Sequence, residues 1–242
     1  MSRPIPNLKG YVAVVIDVLR ATSSLSAMFA QGTKKVKLYT DYEEAKEQKM
    51  YDPKLIVAGE SGGEKYPGFD MGNSPTEFLN KKMDKREIAF CTTNGTKALT
   101  ETAQKADITF AASLLNLSST AEKVAEIVRC ENKSVAVICS GIEGDAAVDD
   151  LYVAGALIHK IISLGRIRDF EIDDGVTIAK MVHGTYSKPM DALVVSESGK
   201  RLSALSKTSD IALCAKTDLM PGVLQISKED NQFVVNLQKE DV

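Results

Sequence analysis

Histidine, cysteine and long apolar runs are scarce in this chain, and each scarcity removes a class of function. Only His159 and His183 occur among 242 residues, too few for a histidine-rich zinc or iron centre. The four cysteines, Cys91, Cys130, Cys139 and Cys214, are widely spaced, unlike a zinc knuckle or a redox pair, and read as reduced, mainly structural thiols. No apolar run approaches the roughly 18 residues of a membrane span, and the opening MSRPIP lacks the apolar stretch of a signal peptide. The expected compartment is the cytoplasm, with no membrane contact. Basic clusters are missing too: 30 Lys and Arg are spread along the chain against 33 Asp and Glu, for a net charge of -3. No long-range attraction for nucleic acid follows.

What is present is an ordinary globular composition, 44% hydrophobic and 26% charged. Acidic residues near turns make a hard, oxygen-bound cation the metal class to expect. The length suits one α/β domain with appended elements: a core over residues 1–168 and a tail over 169–242, packed on it as part of one domain or as a small subdomain. No internal repeat or low-complexity segment is apparent.

Residues 11–19 are rich in valine and isoleucine with almost no polar break, which is how a strand buried on both faces of a parallel sheet reads. A helix from Ser23 or Ser24 to Gln31, stopped by Gly32, a strand over 36–39 and a helix opened by Asp41 and Glu44 come next. Further strands fit 55–58, 88–91, 108–112 and 134–139, with Ser74-Pro75-Thr76-Glu77 a strong helix start and a last core helix over about 149–164. Repeated β-α units predict a mainly parallel, helix-flanked sheet. After Arg168 come helical stretches over 175–181, 200–206 and 210–216, then apolar runs over 223–226 and 233–237 around the turn-like Lys228-Glu229-Asp230-Asn231, a terminal β-hairpin. The tail is open to three roles: a cap over the sheet, a subdomain, or a contact in a homo-oligomer.

In open α/β sheets ligands gather beyond the carboxyl ends of the strands, where helix N-termini present unpaired N–H groups. Four such exits here are rich in small or polar residues: 17–24, 59–63, 92–96 and 140–145. In the first, Asp17 suits a metal and Arg20 a phosphate or sulfonate, with Thr22 and Ser23 as hydroxyl donors. The same residues also fit an internal Asp17–Arg20 pair with Ser23 or Ser24 as a helix cap. In the second, Gly59-Glu60-Ser61-Gly62-Gly63 matches the G-x-S-x-G of a hydrolase nucleophile elbow, but the residues that follow make a poor helix. Asn73-Ser74 and Thr92-Thr93-Asn94-Gly95-Thr96 each lead onto a helix and form anion nests or ordinary caps. Asp149 and Asp150 open the helix after the fourth exit, where acidic residues serve either as dipole complements or as ligands. His159 reads as structural, and His183 as a minor proton-transfer candidate.

Taken in order, VIDVLRATS at 15–23, AGE at 58–60, GFDMGNSP at 68–75, TTNGT at 92–96 and Asp150 with AGAL at 154–157 resemble the 2-phosphosulfolactate phosphatase (ComB) family, more loosely through Gly199-Lys200-Arg201-Leu202, Asp210 and 214–218. The resemblance implies magnesium-dependent hydrolysis of 2-phospho-3-sulfolactate to 3-sulfolactate and phosphate, a step of coenzyme M biosynthesis. Ser61 stands where many members carry a basic residue. The expected division of labour places Mg²⁺ on Asp17, Glu60 and Asp150, and phosphoryl oxygens on Arg20, Thr93, Asn94 and Gly95. Thr22, Ser23, Thr96, Asn73 and Ser74 complete the substrate site, the last two toward the substrate's other anionic arm; Asp17, Arg20 and Asn94 are the expected catalytic residues. Two other readings stand beside this one, a phosphate- or sulfonate-binding protein without turnover and a serine hydrolase built on Ser61.

Overall fold

The computed structural model describes residues 4–165 and 171–238. Its strands are β1 (Leu8–Ile16), β2 (Lys35–Tyr39), β3 (Ile56–Ser61), β4 (Glu64–Lys65), β5 (Glu87–Cys91), β6 (Ala106–Ala112), β7 (Ser134–Cys139), β8 (Leu224–Glu229) and β9 (Gln232–Leu237). Its α-helices are α1 (Ala21–Ala30), α2 (Tyr42–Tyr51), α3 (Pro75–Leu79), α4 (Gly95–Ala103), α5 (Leu117–Glu131), α6 (Val148–Gly165), α7 (Asp174–Thr185), α8 (Pro189–Val195), α9 (Glu197–Ala204) and α10 (Thr208–Cys214). The expected core–tail boundary at 168/169 lies outside the described residues.

The unbroken apolar run of β1 has the expected cause: β6 and β7 pair with it in parallel on either side, and Val12 to Ile16 are fully buried. Its side chains alternate between two cores, Val12, Val14 and Ile16 joining Phe110, Val153 and Leu157, and Val15 joining Leu25, Phe90 and Leu99. Full burial of each large side chain contributes about 1.5–3 kcal/mol. Capping also follows the sequence at α2, where Asp41 accepts from the Glu44 N–H at 2.9 Å, and at α3, where Ser74 accepts from the Glu77 N–H at 3.2 Å and Pro75 takes the first helical position. Helix α1 departs from expectation. It starts at Ala21 with no capping bond from its N-cap residue Arg20, and Thr22 turns the chain at once by donating its N–H (2.9 Å) and hydroxyl (2.8 Å) to the Asp17 carbonyl. Ser23 and Ser24 are therefore inside the helix, not at its cap.

The sheet order among the described residues is β4-β3-β5-β2-β9-β8-β6-β1-β7. It is mixed, which corrects the expectation of a mainly parallel sheet. Two parallel blocks, β3-β5-β2 and β6-β1-β7, are joined by the β8–β9 hairpin through consecutive antiparallel pairings of β2 with β9, β9 with β8 and β8 with β6. The blocks consequently run in opposite senses. The predicted terminal hairpin exists, but it occupies the middle of the sheet rather than its surface. Helices α7, α8 and α9 pack on α6, and α10 packs on α3. The short α8 was not legible in the sequence.

Candidate active site

Opposed blocks would send their carboxyl ends to opposite edges of a flat sheet. Twist of about 20–25° per step, accumulated over the five steps from β5 to β1, turns the strands through more than a right angle, and α4, which follows β5, packs on β1 and β6. The two ends meet at Asp17 and Gly95. A β-carbon built on Gly95 would lie 2.5 Å from Oδ2 of Asp17 and 2.4 Å from Cβ of Ala21, so only glycine lets the Asp17 carboxylate rest against the N-terminus of α4. The other carboxylate oxygen accepts the Ala21 N–H at 3.0 Å, at the start of α1. One carboxylate thus lies between two helix N-termini, where an anion is favoured.

Glu60, buried at the end of β3, accepts the Thr93 N–H (2.9 Å), the Thr93 hydroxyl (3.2 Å) and the Gly63 N–H (2.6 Å). Three of its roughly four acceptor positions are taken, so it fastens the β3–β4 turn to the loop before α4. Asn94 is the N-cap of α4 by position, yet its side chain makes no capping bond. Thr92 and Thr96 do that work reciprocally, each hydroxyl accepting the other's N–H at 3.1 Å. The Asn94 amide is left free beside the helix N-terminus, while Thr96 faces inward.

Arg20 does not pair with Asp17. Its Nη1 donates to Asp210 Oδ2 at 2.8 Å and its Nη2 to the Gly63 carbonyl at 2.7 Å, in an ion pair whose side chains are each 2% exposed. The other Asp210 oxygen accepts from the Ser74 hydroxyl at 2.7 Å and from the Thr76 hydroxyl. Asp210 therefore holds Arg20, the β3–β4 turn and the start of α3 in one arrangement. Two of the five guanidinium N–H groups are used; the rest remain as donors.

At the fourth exit Asp150 accepts the Val18 N–H (2.9 Å) and the Gly141 N–H (3.0 Å) and ties the end of β1 to the loop after β7. Asp149 is 1% exposed and its Oδ1 has no hydrogen-bond partner; the Ser140 hydroxyl lies beside the Asp17 carboxylate. Burial pushes the Asp17 carboxyl up to about 7, reinforced by the charges of Glu60 and Asp149. Burial raises Asp149 to about 6, and raises Asp150 well above the ordinary range, with Asp149 and Asp17 adding repulsion. Among the described residues no three carboxylate, imidazole or thiolate side chains converge at metal-ligand spacing. The donor chemistry nevertheless fits a hard cation: all-oxygen, mutually repelling, with an orphaned carboxylate oxygen on Asp149. Mg²⁺ typically takes one or two carboxylates and completes its shell with water and phosphate oxygens.

A family model described as 2-phosphosulpholactate phosphatase matches residues 2–229. The chain belongs to this family. Curated relatives named probable 2-phosphosulfolactate phosphatase include one from Thermus thermophilus, 36% identical over 205 residues (85% of this chain, 83% of the relative). Others are from Deinococcus radiodurans, 35% identical over 205 residues (85% and 83%), and Caldanaerobacter subterraneus, 35% identical over 233 residues (92% and 93%). By its name the family is one of phosphoric monoester hydrolases.

Several residues assigned to the substrate site are internal in this family member. Thr22 bonds to Asp17's backbone, the Ser23 hydroxyl donates to the Val18 carbonyl at 2.8 Å, and Ser74 is spent on the α3 cap and Asp210. Asn73 is buried with its Oδ1 unpartnered, and Thr93 is exposed. Ser61 is exposed on β3, which turns back into β4 and not into a helix, so there is no nucleophile elbow. Both histidines line a separate cavity of about 360 Å³ with Tyr152, Lys160 and Thr217, which removes the serine-hydrolase reading. Asp210 and Asp149 carry more of the site than their sequence context suggested, since an acid in a helix's first turn reads as a dipole complement. Among the described residues no helix is long and apolar enough to cross a membrane.

Proposed function

We propose that the chain hydrolyses 2-phospho-3-sulfolactate to 3-sulfolactate and phosphate with Mg²⁺ as cofactor, a step of coenzyme M synthesis in a host that makes it. The observation that carries this reading is the contact of the Asp17 carboxylate with the α4 N-terminus at Gly95, which sets a cation-binding group beside an anion-binding one. Asp17 and Asp149 are the proposed protein ligands, while Glu60 and Asp150, whose oxygens accept backbone N–H groups, fix the loops around them. Bound there, Mg²⁺ would offset charge on the phosphoryl oxygens. The free donors of Arg20, the amide of Asn94 and the N–H groups of Asn94 and Gly95 bind those oxygens and stabilise the charge that develops as the P–O bond to C2 breaks. Water supplies the oxygen gained by phosphate, and the C2 oxygen leaves with a proton.

Phosphate release from 2-phospho-3-sulfolactate, with and without Mg²⁺, tests the proposal. Turnover is expected only with the cation, and Asp17→Asn is expected to abolish it while the circular dichroism stays native. Saturable binding of the substrate without turnover would instead make the chain a binding protein, and unchanged turnover in Asp17→Asn would remove Asp17 from the site.

A further inference from the structure

Helix α9 presents one stripe to the site. Ser198 lies beside the Asp149 carboxylate; three residues on, Arg201 donates from Nη2 to Glu143 Oε1 at 2.7 Å. Four further on, at the helix C-cap, Leu205 reaches within 3.0 Å of a β-carbon built on Gly63, from which the Arg201 Cδ is 3.9 Å away. Spacings of three and four put these residues on one helical face. Gly63 is the residue whose carbonyl holds Arg20 and whose N–H holds Glu60, and Glu143 lies in the loop that holds Asp150 through Gly141. Arg201 therefore spans the rim from the β3–β4 turn to the loop after β7.

The Arg201–Glu143 pair is unlike the buried Arg20–Asp210 pair. Its side chains are 40% and 69% exposed, and exposed pairs of this kind hold their partners weakly. A guanidinium at the mouth of an acidic site, resting on an exchangeable carboxylate, is placed to take an oxyanion from solution.

We propose that Arg201 is the specificity residue that receives the non-phosphoryl anionic arm of the substrate, carboxylate or sulfonate, and that Glu143 occupies it until substrate arrives. This rests on the phosphatase reading above. Four phosphoesters separate the possibilities: 2-phospho-3-sulfolactate, 2-phospholactate with a carboxylate only, 2-phosphooxyethanesulfonate with a sulfonate only, and ethyl phosphate with neither. Arg201→Met is expected to raise KM for the first about tenfold or more, the scale of a lost charge-assisted contact, with kcat within about threefold. The single-arm ester that shows the same rise identifies the arm, and ethyl phosphate shows none. Glu143→Gln, which frees Arg201, is expected to lower KM for the same esters. An unchanged KM for all four esters, an equal rise for ethyl phosphate, or a raised KM in Glu143→Gln would overturn the assignment. Calorimetric binding of 3-sulfolactate keeps the two readings apart. If wild type turns over none of the esters, weaker binding of 3-sulfolactate by Arg201→Met upholds the role of Arg201 although the phosphatase reading has failed; equal binding, or none by wild type, ends it.

Discussion

Asp210→Ala is the substitution whose cost follows most directly from the structure. It removes the counter-charge of Arg20 in a pair whose side chains are each 2% exposed and leaves the Ser74 and Thr76 hydroxyls without their common acceptor. Breaking a buried ion pair from one side costs about 3–5 kcal/mol, because the remaining charge stays out of water without compensation. At about 2–4 °C per kcal/mol for a chain of this size, Tm should fall by roughly 6–20 °C. The chain has no tryptophan, so urea unfolding is followed by far-ultraviolet circular dichroism. Asp210→Asn, which keeps an acceptor for the two hydroxyls, should fall between wild type and Asp210→Ala. The double variant Arg20→Met with Asp210→Leu should recover much of the loss, since an apolar pair carries no desolvation penalty. A loss below about 1 kcal/mol in Asp210→Ala, or a double variant as unstable as the summed singles, would refute this account of the pair.

Other outcomes follow from the same geometry. Gly95→Ala should lower kcat/KM by about a hundredfold or more by displacing Asp17, out of proportion to any change in Tm; near-normal turnover would mean that the Asp17–Gly95 contact does not position the reacting groups. Ser61→Ala should leave kcat within about twofold, and a loss above about tenfold would restore the nucleophile-elbow reading. The raised Asp17 and Asp149 carboxyls bind protons more tightly in the folded state than in the unfolded one. Their contribution to stability is therefore complete below the ordinary value of 3.8 and is lost as pH rises through about 6 and about 7. In metal-free protein the stability difference between wild type and Asp17→Asn should turn against wild type between pH 4 and 8, and Mg²⁺ at pH 8 should raise the Tm of wild type more than that of the variant. A pH-independent difference would contradict the raised carboxyl.

The parts of this fold that were legible in the sequence are those set by neighbours along the chain. The β1 run, the Asp41 and Ser74 caps and the 228–231 turn each depend on a few consecutive residues. The pairing of the hairpin was not legible, because alternating apolar residues state that a strand is half or fully buried and not which strand lies beside it. Around the candidate site, Asp17, Arg20, Glu60 and Asn94 were legible as polar groups at strand exits, because carboxylates, a guanidinium and an Asn-Gly step stand out after apolar strands. Their partners were not. Arg20 is held by a residue 190 positions away, and although α4 starts directly after Asn94, as the Asn-Gly step suggests, the Thr96 N–H is taken by the Thr92 hydroxyl and not by the Asn94 side chain.

The central position of the β8–β9 hairpin has a consequence for how the chain is made. Among the described residues every other strand precedes residue 224 in the sequence, so as the chain leaves the ribosome both parallel blocks can form while the edges of β2 and β6 still lack their partners. Until the hairpin arrives, the nascent protein carries two unpaired strand edges, and such edges readily pair with other chains. The active site waits for the same event, since it draws on loops from both blocks, so synthesis stalled before residue 224 would yield two half-sheets and no enzyme.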